Sequence, residues 1–223
     1  MADMFLRGWN WVRRFRHRCG YGVHSPSDFF LITFVVYEKM PYYAYSHLHQ
    51  ERKKVERFPH YREKTDKLLF RLVNYFQPDS VLEFGTGSGL ETVYLATARK
   101  TPLLTVAQET LPDEVKRLLG TCPGIQIGEA SIVGSWLEQH KPLGLVHIAH
   151  TPDYKEVFER LLPYVGSRTC FVIGAPYDSE EKTAWWKQVV ADSRTGVTFD
   201  LYDIGLVFFD PKRVKEHRIV NFL

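Results

Sequence analysis

One segment constrains this chain more than any other: Ser80-Val81-Leu82-Glu83-Phe84-Gly85-Thr86-Gly87-Ser88-Gly89-Leu90, an apolar run that ends in an acid and passes directly into alternating glycines. The run reads as a buried strand and the residues after Leu90 as a helix, so the glycines form the turn between them. Without a Cβ, Gly85, Gly87 and Gly89 let the backbone turn through positive φ and come close to a ligand, while the following helix presents free N–H groups. Glu83, at the strand's end, is placed to meet a cationic amine. An ordinary strand-to-helix turn needs one glycine rather than three in register. The segment is therefore expected to hold a nucleotide-like cofactor through Glu83, Gly85, Thr86, Gly87, Ser88 and Gly89.

Two other nucleotide loops fit poorly. The dinucleotide pattern G-x-G-x-x-G asks for glycine at position 90, which is Leu90, and for an acid at the end of the second strand. Here that strand reads Leu103-Leu104-Thr105-Val106-Ala107, followed by Gln108-Glu109. A phosphate-binding P-loop would continue into Gly-Lys-Ser/Thr, and this one does not. The segment points instead to the glycine loop of an S-adenosylmethionine site, with an ordinary strand-to-helix turn as the alternative.

At 223 residues and 44% hydrophobic content, the chain can bury one sizeable core plus an appendage. The formal net charge of +3 hides an asymmetry. Residues 1–60 carry ten Lys and Arg against five Asp and Glu, and the remainder nineteen against twenty-one. A basic front on a near-neutral body does not by itself argue for nucleic acid. Cys19, Cys122 and Cys170 are odd in number and far apart, without the spacing of a zinc site or a disulfide framework, which fits a reducing cytoplasm. The longest apolar run, residues 29–37, is too short to span a bilayer and lacks a cleavage site, so neither a transmembrane helix nor a signal peptide is expected.

From Thr65 onward, Leu68, Leu69, Leu72, Val73 and Phe76 follow helical spacing, and Pro78-Asp79 ends the helix just before the glycine-loop strand. Short apolar runs and amphipathic stretches then alternate: strands at 102–107, 124–128, 144–149 and 168–173, with helices at 92–99, 112–119, 131–139, 153–163 and 180–191. That rhythm predicts a parallel sheet covered on both faces. The end breaks it. Two strands, 197–202 and 206–209, are separated only by Asp203-Ile204-Gly205, and so short a link requires an antiparallel hairpin. The expected fold is α/β: a Rossmann-like doubly wound sheet of seven strands ending in that hairpin, with residues 1–60 as a helical extension and 61–223 as the main domain.

This combination resembles the class I S-adenosylmethionine-dependent methyltransferases, and within them the O-methyltransferase-like branch of catechol and caffeoyl-CoA enzymes. The leading helix into Val81-Leu82-Glu83-Phe84-Gly85-Thr86-Gly87 and the closing Gly205-Leu206-Val207-Phe208-Phe209 match best. Gly22-Val23-His24-Ser25-Pro26 is similar to a short motif of a bacterial subgroup of such proteins. The resemblance implies an acid at the end of strand two for the cofactor's ribose; the matching residue is Ala107, with Gln108 and Glu109 as potential substitutes. It also implies a divalent-metal site of acids after strands four and five. The matching residues are Ala149, Gly174 and Ala175, so no metal is expected.

The resemblance places an acid of the loop after strand three beside adenine, which here is Glu129 with Ser131 nearby. A helix N-cap by Ser131 is an equally good account of that serine. His150, at the carboxyl end of a strand, is a weak candidate for a general base, and a plain loop histidine is the alternative. His147 reads as a core residue, and Tyr177 could line the same mouth.

Near the amino terminus, Phe5, Trp9, Val12 and Phe15 fall near helical spacing beside five arginines. The arginines could face phosphates of a membrane surface or of nucleic acid. The favoured reading packs Trp9 and Phe15 over the main domain or across a homodimer and leaves the arginines in solvent. Two functions follow. One is metal-independent methyl transfer from S-adenosylmethionine to an unidentified small-molecule acceptor; the other is a catalytically inactive methyltransferase fold serving as a binding or scaffold protein.

Overall fold

Short runs of mostly consecutive apolar residues build a central sheet whose inner strands are buried on both faces. The computed structural model describes residues 2–223, with side chains from Arg7 onward. Phe5 lies outside the described side chains. The amino-terminal part contains α1 (Ala2–Arg13), α2 (Pro26–Phe30), which continues as a π-helical turn over Leu31–Val36, and α3 (Ala44–Val55). The main alternation follows: α4 (Glu63–Phe76), β1 (Val81–Phe84), α5 (Leu90–Ala98), β2 (Leu103–Val106), α6 (Asp113–Gly120), β3 (Ile125–Gly128), α7 (Val133–Gln139) and β4 (Leu145–Ile148). It closes with α8 (Tyr154–Leu161), β5 (Cys170–Gly174), α9 (Glu180–Ala191), β6 (Thr198–Asp200), β7 (Ile204–Phe208) and β8 (His217–Ile219).

The strand order is β3-β2-β1-β4-β5-β7-β6-β8. β1 to β5 run parallel, and β7 is antiparallel to both β5 and β6, as the short link requires. The sheet has eight strands rather than the expected seven. The addition is β8, the edge strand, which pairs parallel with β6 over only three residues, too short to leave a periodic signal.

Alternation sorts the core. Val81, Leu103, Leu145, Cys170 and Val172 face α4 and the π-helical turn. Leu82, Leu104, Val146, Ile148, Phe171 and Ile173 face α7, α8 and α9, among Trp136, Phe158, Trp185 and Trp186. The amino-terminal residues are part of this core: Leu31, Ile32, Val35 and Val36 pack with the first group, and Ala44, Leu48 and Val55 pack with Phe70, Val93 and Tyr94. Buried Arg71 on α4 donates to the carbonyls of Val35 (2.7 Å) and Val36 (3.0 Å), satisfying the end of the π-helical turn.

α1 does not pack Trp9 and Phe15 over the main domain, one of the two arrangements expected for them. Trp9, Val12 and Phe15 are exposed, whereas Arg14 is buried. Arg7 pairs with both carboxylate oxygens of Asp203 (2.7 and 2.9 Å) and Arg14 with both of Asp200 (2.8 and 2.9 Å). Each guanidinium also lies 5.3 Å from the centre of the Tyr202 ring. Two planar cations fitted to two acids of the β6–β7 turn hold the helix, and its aromatic side faces away. Tyr177 belongs to this cluster, hydrogen-bonded to Arg14 and Asp200.

The His24-Ser25-Pro26 segment has a local structural role. Ser25 Oγ accepts the Asp28 N–H (3.4 Å) at the start of α2, and Pro26 takes the first helical position. Asp28 is buried and pairs with Arg213 and Arg218, joining the front of the chain to its end.

Candidate functional site

Register explains what happens to Glu83. On β1 it pairs laterally with Thr105 of β2 and His147 of β4, so all three side chains project from the same face. Its carboxylate accepts from Thr105 Oγ1 (2.8 Å) and from the Thr92 hydroxyl, and His147 Nδ1 lies 2.9 Å from its other oxygen. A carboxylate only accepts, so the His147 proton sits on Nδ1. With no exposed surface, Glu83 has its partners inside the protein and braces the glycine loop from below. Thr86 extends the chain of bonds by its 2.7 Å contact with Thr105.

The loop above has the backbone its composition implies: φ is +90° at Gly85, +52° at Gly87 and +74° at Gly89. A Cβ on Gly85 would stand 2.7 Å from the His150 backbone, and one on Gly87 would stand 3.1 Å from the Pro59 carbonyl and 3.3 Å from the His150 ring. The residues leading into α4 thus lie directly on the loop. Ser88 N–H donates to the Pro59 carbonyl (3.1 Å), Tyr61 N–H donates to Glu91 Oε1 (2.9 Å), and Arg52 binds the Tyr61 carbonyl together with the Asp66 carboxylate. This strap covers the end of the loop next to β4.

Glu91, Tyr61 and His150 form a second buried group. Ser88 Oγ accepts the Leu90 N–H (3.2 Å) and donates to Glu91 Oε2 (3.3 Å). Burial acts to raise the Glu91 pKa, but interaction with His150 and bonding from the Tyr61 N–H outweigh it and hold the carboxyl below its usual value. His150 Nε2 lies 3.5 Å from Glu91 Oε1, and the imidazole side chain is 29% exposed. The Tyr61 ring lies tilted against it at 4.7 Å, with its hydroxyl buried and without a hydrogen-bond partner among the described residues. Burial first, then the charges of Glu91 and Glu83, push the Tyr61 pKa well above the ordinary phenol value. That hydroxyl fills the space over Gly174, where a Cβ would stand 1.7 Å from it.

Beside this covered end lies a cleft of about 880 Å³ across the carboxyl ends of β1 to β4. Phe84, Val106 and Ala107 form one wall; Gly128, Glu129 and Ser131 form another; Thr151 and Asp153 close it on the β4 side. Gln108 spans the opening, donating to Thr151 Oγ1 (2.7 Å) and Asp153 Oδ2 (3.1 Å). Ser131 does not cap α7, whose N-cap is Ile132 without a side-chain bond, so its hydroxyl remains in the cleft. Glu129 and Ser131 are therefore brought together there. The glycines lie alongside under Pro59 and His150, and Glu83 sits below in the interior. Tyr61 and Glu91 escaped the sequence reading, although Ser88-Gly89-Leu90-Glu91 has the S-x-x-E spacing of a capping box.

The residues fit an adenosyl group better than they fit a metal. The cleft offers an apolar wall, a hydroxyl and several carboxylates at the carboxyl edge of a parallel sheet, where ligands of such folds sit. Among the described residues, no group of three or more His, Cys, Asp or Glu is arranged to hold a metal ion.

No protein-family model matches the chain, and no curated protein does. Solved structures do. The O-methyltransferase TomG from Streptomyces achromogenes, involved in tomaymycin synthesis and solved in complex with SAM, is 19% identical with a TM-score of 0.58, over 79% of this chain and 93% of its own. An O-methyltransferase from Bacillus cereus in complex with SAH is 16% identical with a TM-score of 0.56, over 78% of this chain and 94% of its own. The SAH-bound methyltransferase PaMTH1 of Podospora anserina is 13% identical with a TM-score of 0.55, over 77% and 89%. At such identities the likeness is one of architecture: the chain has the fold of the class I O-methyltransferases.

Proposed function

We propose that this protein transfers a methyl group from S-adenosylmethionine to a small-molecule acceptor without a metal ion. The observation that supports it most is the cleft at the carboxyl ends of β1 to β4, walled by Phe84, Val106 and Glu129, in a fold whose solved examples include SAM- and SAH-bound enzymes. Glu129, Ser131 and Gln108 would hold the adenosyl end against Phe84 and Val106, and Gly85–Gly89 would let the backbone approach the rest of the ligand. When bound, the cofactor supplies a methyl group on a positively charged sulfur. Glu83 serves as a buried brace for the loop in this reading.

The acceptor's proton is assigned to His150. With Nε2 3.5 Å from Glu91 Oε1 but not hydrogen-bonded to it, the charge of Glu91 favours the tautomer protonated at Nε2, which leaves the Nδ1 lone pair to take a proton from a hydroxyl or amine. Tyr61 covers the imidazole and excludes water from that side. Displacement at a sulfonium carbon needs chiefly alignment, so positioning can supply most of the acceleration once the acceptor is deprotonated. Three cysteines without disulfides fit a reducing, cytoplasmic setting.

Calorimetric titration with S-adenosylmethionine and S-adenosylhomocysteine tests the reading. Micromolar binding, weakened by Glu129→Ala with the melting temperature unchanged and by Gly87→Val in a domain that is less stable but still folded, is the expected result. No binding of either compound would refute it and leave a scaffold built on a methyltransferase fold.

A further inference from the structure

The side of α1 that turns away from the protein is apolar and basic at once. Trp9, Val12 and Phe15 are 58%, 60% and 53% exposed, and Tyr21 just beyond is 81% exposed. A Cβ on Gly20 would stand 2.8 Å from the Phe29 ring, so half-exposed Phe29 continues the surface. Arg13, Arg16 and Arg18 are exposed among these residues. None forms an ion pair with a carboxylate among the described residues; Arg18 instead lies over the rings of Trp11 (5.5 Å) and Phe15 (5.7 Å).

This exposure is a fixed property of the helix. Arg7 and Arg14 are seven residues apart, two helical turns, and so share the face that grips Asp203 and Asp200. Trp9 and Val12, three apart, lie on the opposite face. The two ion pairs therefore lock the aromatic side outward.

We propose that this face docks on the surface of an anionic lipid bilayer. Aromatic and aliphatic side chains would enter the interfacial layer while the unpaired guanidiniums meet lipid phosphates, the arrangement of an interfacial helix. Charge decides against a symmetric second copy, because a two-fold contact would bring the same three arginines toward their own images. A nucleic-acid strand would use the arginines but leave Val12 and the edge of Trp9 without an apolar partner. The inference does not depend on methyl transfer.

Cosedimentation of the full chain with phosphatidylcholine vesicles, with and without phosphatidylglycerol, tests it, alongside quenching of tryptophan fluorescence by brominated lipid. Only Trp9 and Trp11 are exposed; Trp136, Trp185 and Trp186 are buried, so quenching reports on α1. Binding is expected only to anionic vesicles. The double variant Trp9→Ser with Phe15→Ser should abolish it, and Arg13→Gln with Arg16→Gln should weaken it about thirty-fold, with both variants melting at the parent temperature. No binding to anionic vesicles, or unchanged binding by the Trp9→Ser/Phe15→Ser variant, would overturn the proposal. So would a concentration-dependent dimer, or binding to a single-stranded oligonucleotide, abolished by that variant in the absence of vesicle binding.

Discussion

The ring of Tyr61 lies 4.7 Å from that of His150, and its hydroxyl occupies the space over Gly174 without a hydrogen-bond partner among the described residues. A phenol so placed contributes by filling volume, while its oxygen carries an uncompensated desolvation cost. Tyr61→Phe should therefore leave the protein at least as stable. Tyr61→Ala should cost about 3–5 kcal/mol, as aromatic truncations in cores do. Urea denaturation separates the two, and a Phe variant less stable than the parent would mean that the hydroxyl has a partner after all.

Gly85 and Gly87 should differ in what they tolerate. A Cβ at Gly85 meets main-chain atoms of His150 at 2.7–2.8 Å in a backbone with φ of +90°, so neither neighbour can yield without moving a strand end. Gly85→Ala should lose on the order of 2 kcal/mol or more. Gly87, at φ +52°, lies in the left-handed region that other residues enter at a cost of about 1–2 kcal/mol. Gly87→Ala should stay folded while crowding Pro59 and His150. Melting curves and titration with S-adenosylhomocysteine check both variants, and equal destabilisation would contradict the geometry.

Arg14 and Asp200 form a buried pair, with side chains 11% and 2% exposed. Removing the cation would strand a carboxylate beside Tyr177, so Arg14→Ala should destabilise by about 3–5 kcal/mol. Arg14→Lys keeps the charge but loses the two-pronged geometry and should recover only part of this. Arg194, its side chain 51% exposed between Glu159 and Asp192, supplies the contrast: Arg194→Ala should change stability far less than Arg14→Ala.

Legibility followed the length and periodicity of each segment. The alternation from Val81 to Gly174 reports burial on both faces of a strand, and the three-residue link between the last long strands left no option but antiparallel pairing. β8 and α3 were invisible because three edge residues, and a helix as polar as Ala44–Val55, carry little apolar pattern. The role of Glu83 was hidden for another reason: its partners, Thr105 and His147, are neighbours only through strand register, a long-range property. Within the chain, Trp9 and Phe15 do not anchor α1, because arginines matched to two acids nearly two hundred positions away perform that task, and such a pairing leaves no local pattern.

Lys182 gives a pH dependence whose sign follows from its surroundings. It is buried near the start of α9, where free N–H groups already oppose a cation, and burial lowers its pKa while Asp178 acts to raise it. The folded state therefore sheds this proton before the unfolded state does. Between the lowered folded value and the ordinary lysine value the unfolded chain binds more protons, so stability rises with pH across that window. Lys182→Met should stabilise the protein at neutral pH and remove that part of the alkaline rise. Denaturant midpoints from neutral pH to about pH 10.4 measure it, and an undiminished rise in the Met variant would assign the effect to another group.

Metal dependence offers the sharpest chemical test of the proposed reaction. A magnesium or calcium ion takes several oxygen ligands, with carboxylates neutralising its charge. The ends of β4 and β5 present Ala149, Gly174 and Ala175, and the Tyr61 hydroxyl, whose burial keeps it protonated, fills the space above Gly174. A cation there would have to displace that ring and then rely on backbone carbonyls and water. Of the nearby acids, Glu83 is committed to Thr105 and His147, Glu91 to Tyr61 and Ser88, and Asp66 to Arg52, which leaves Asp178, too few carboxylates for a divalent ion. Melting temperature and methyl transfer should accordingly be the same in EDTA and in excess magnesium. A magnesium-dependent gain in either, abolished by chelation and restored by adding the ion back, would show that the acids of the open cleft, Glu129 and Asp153, take up a role that the strand ends cannot.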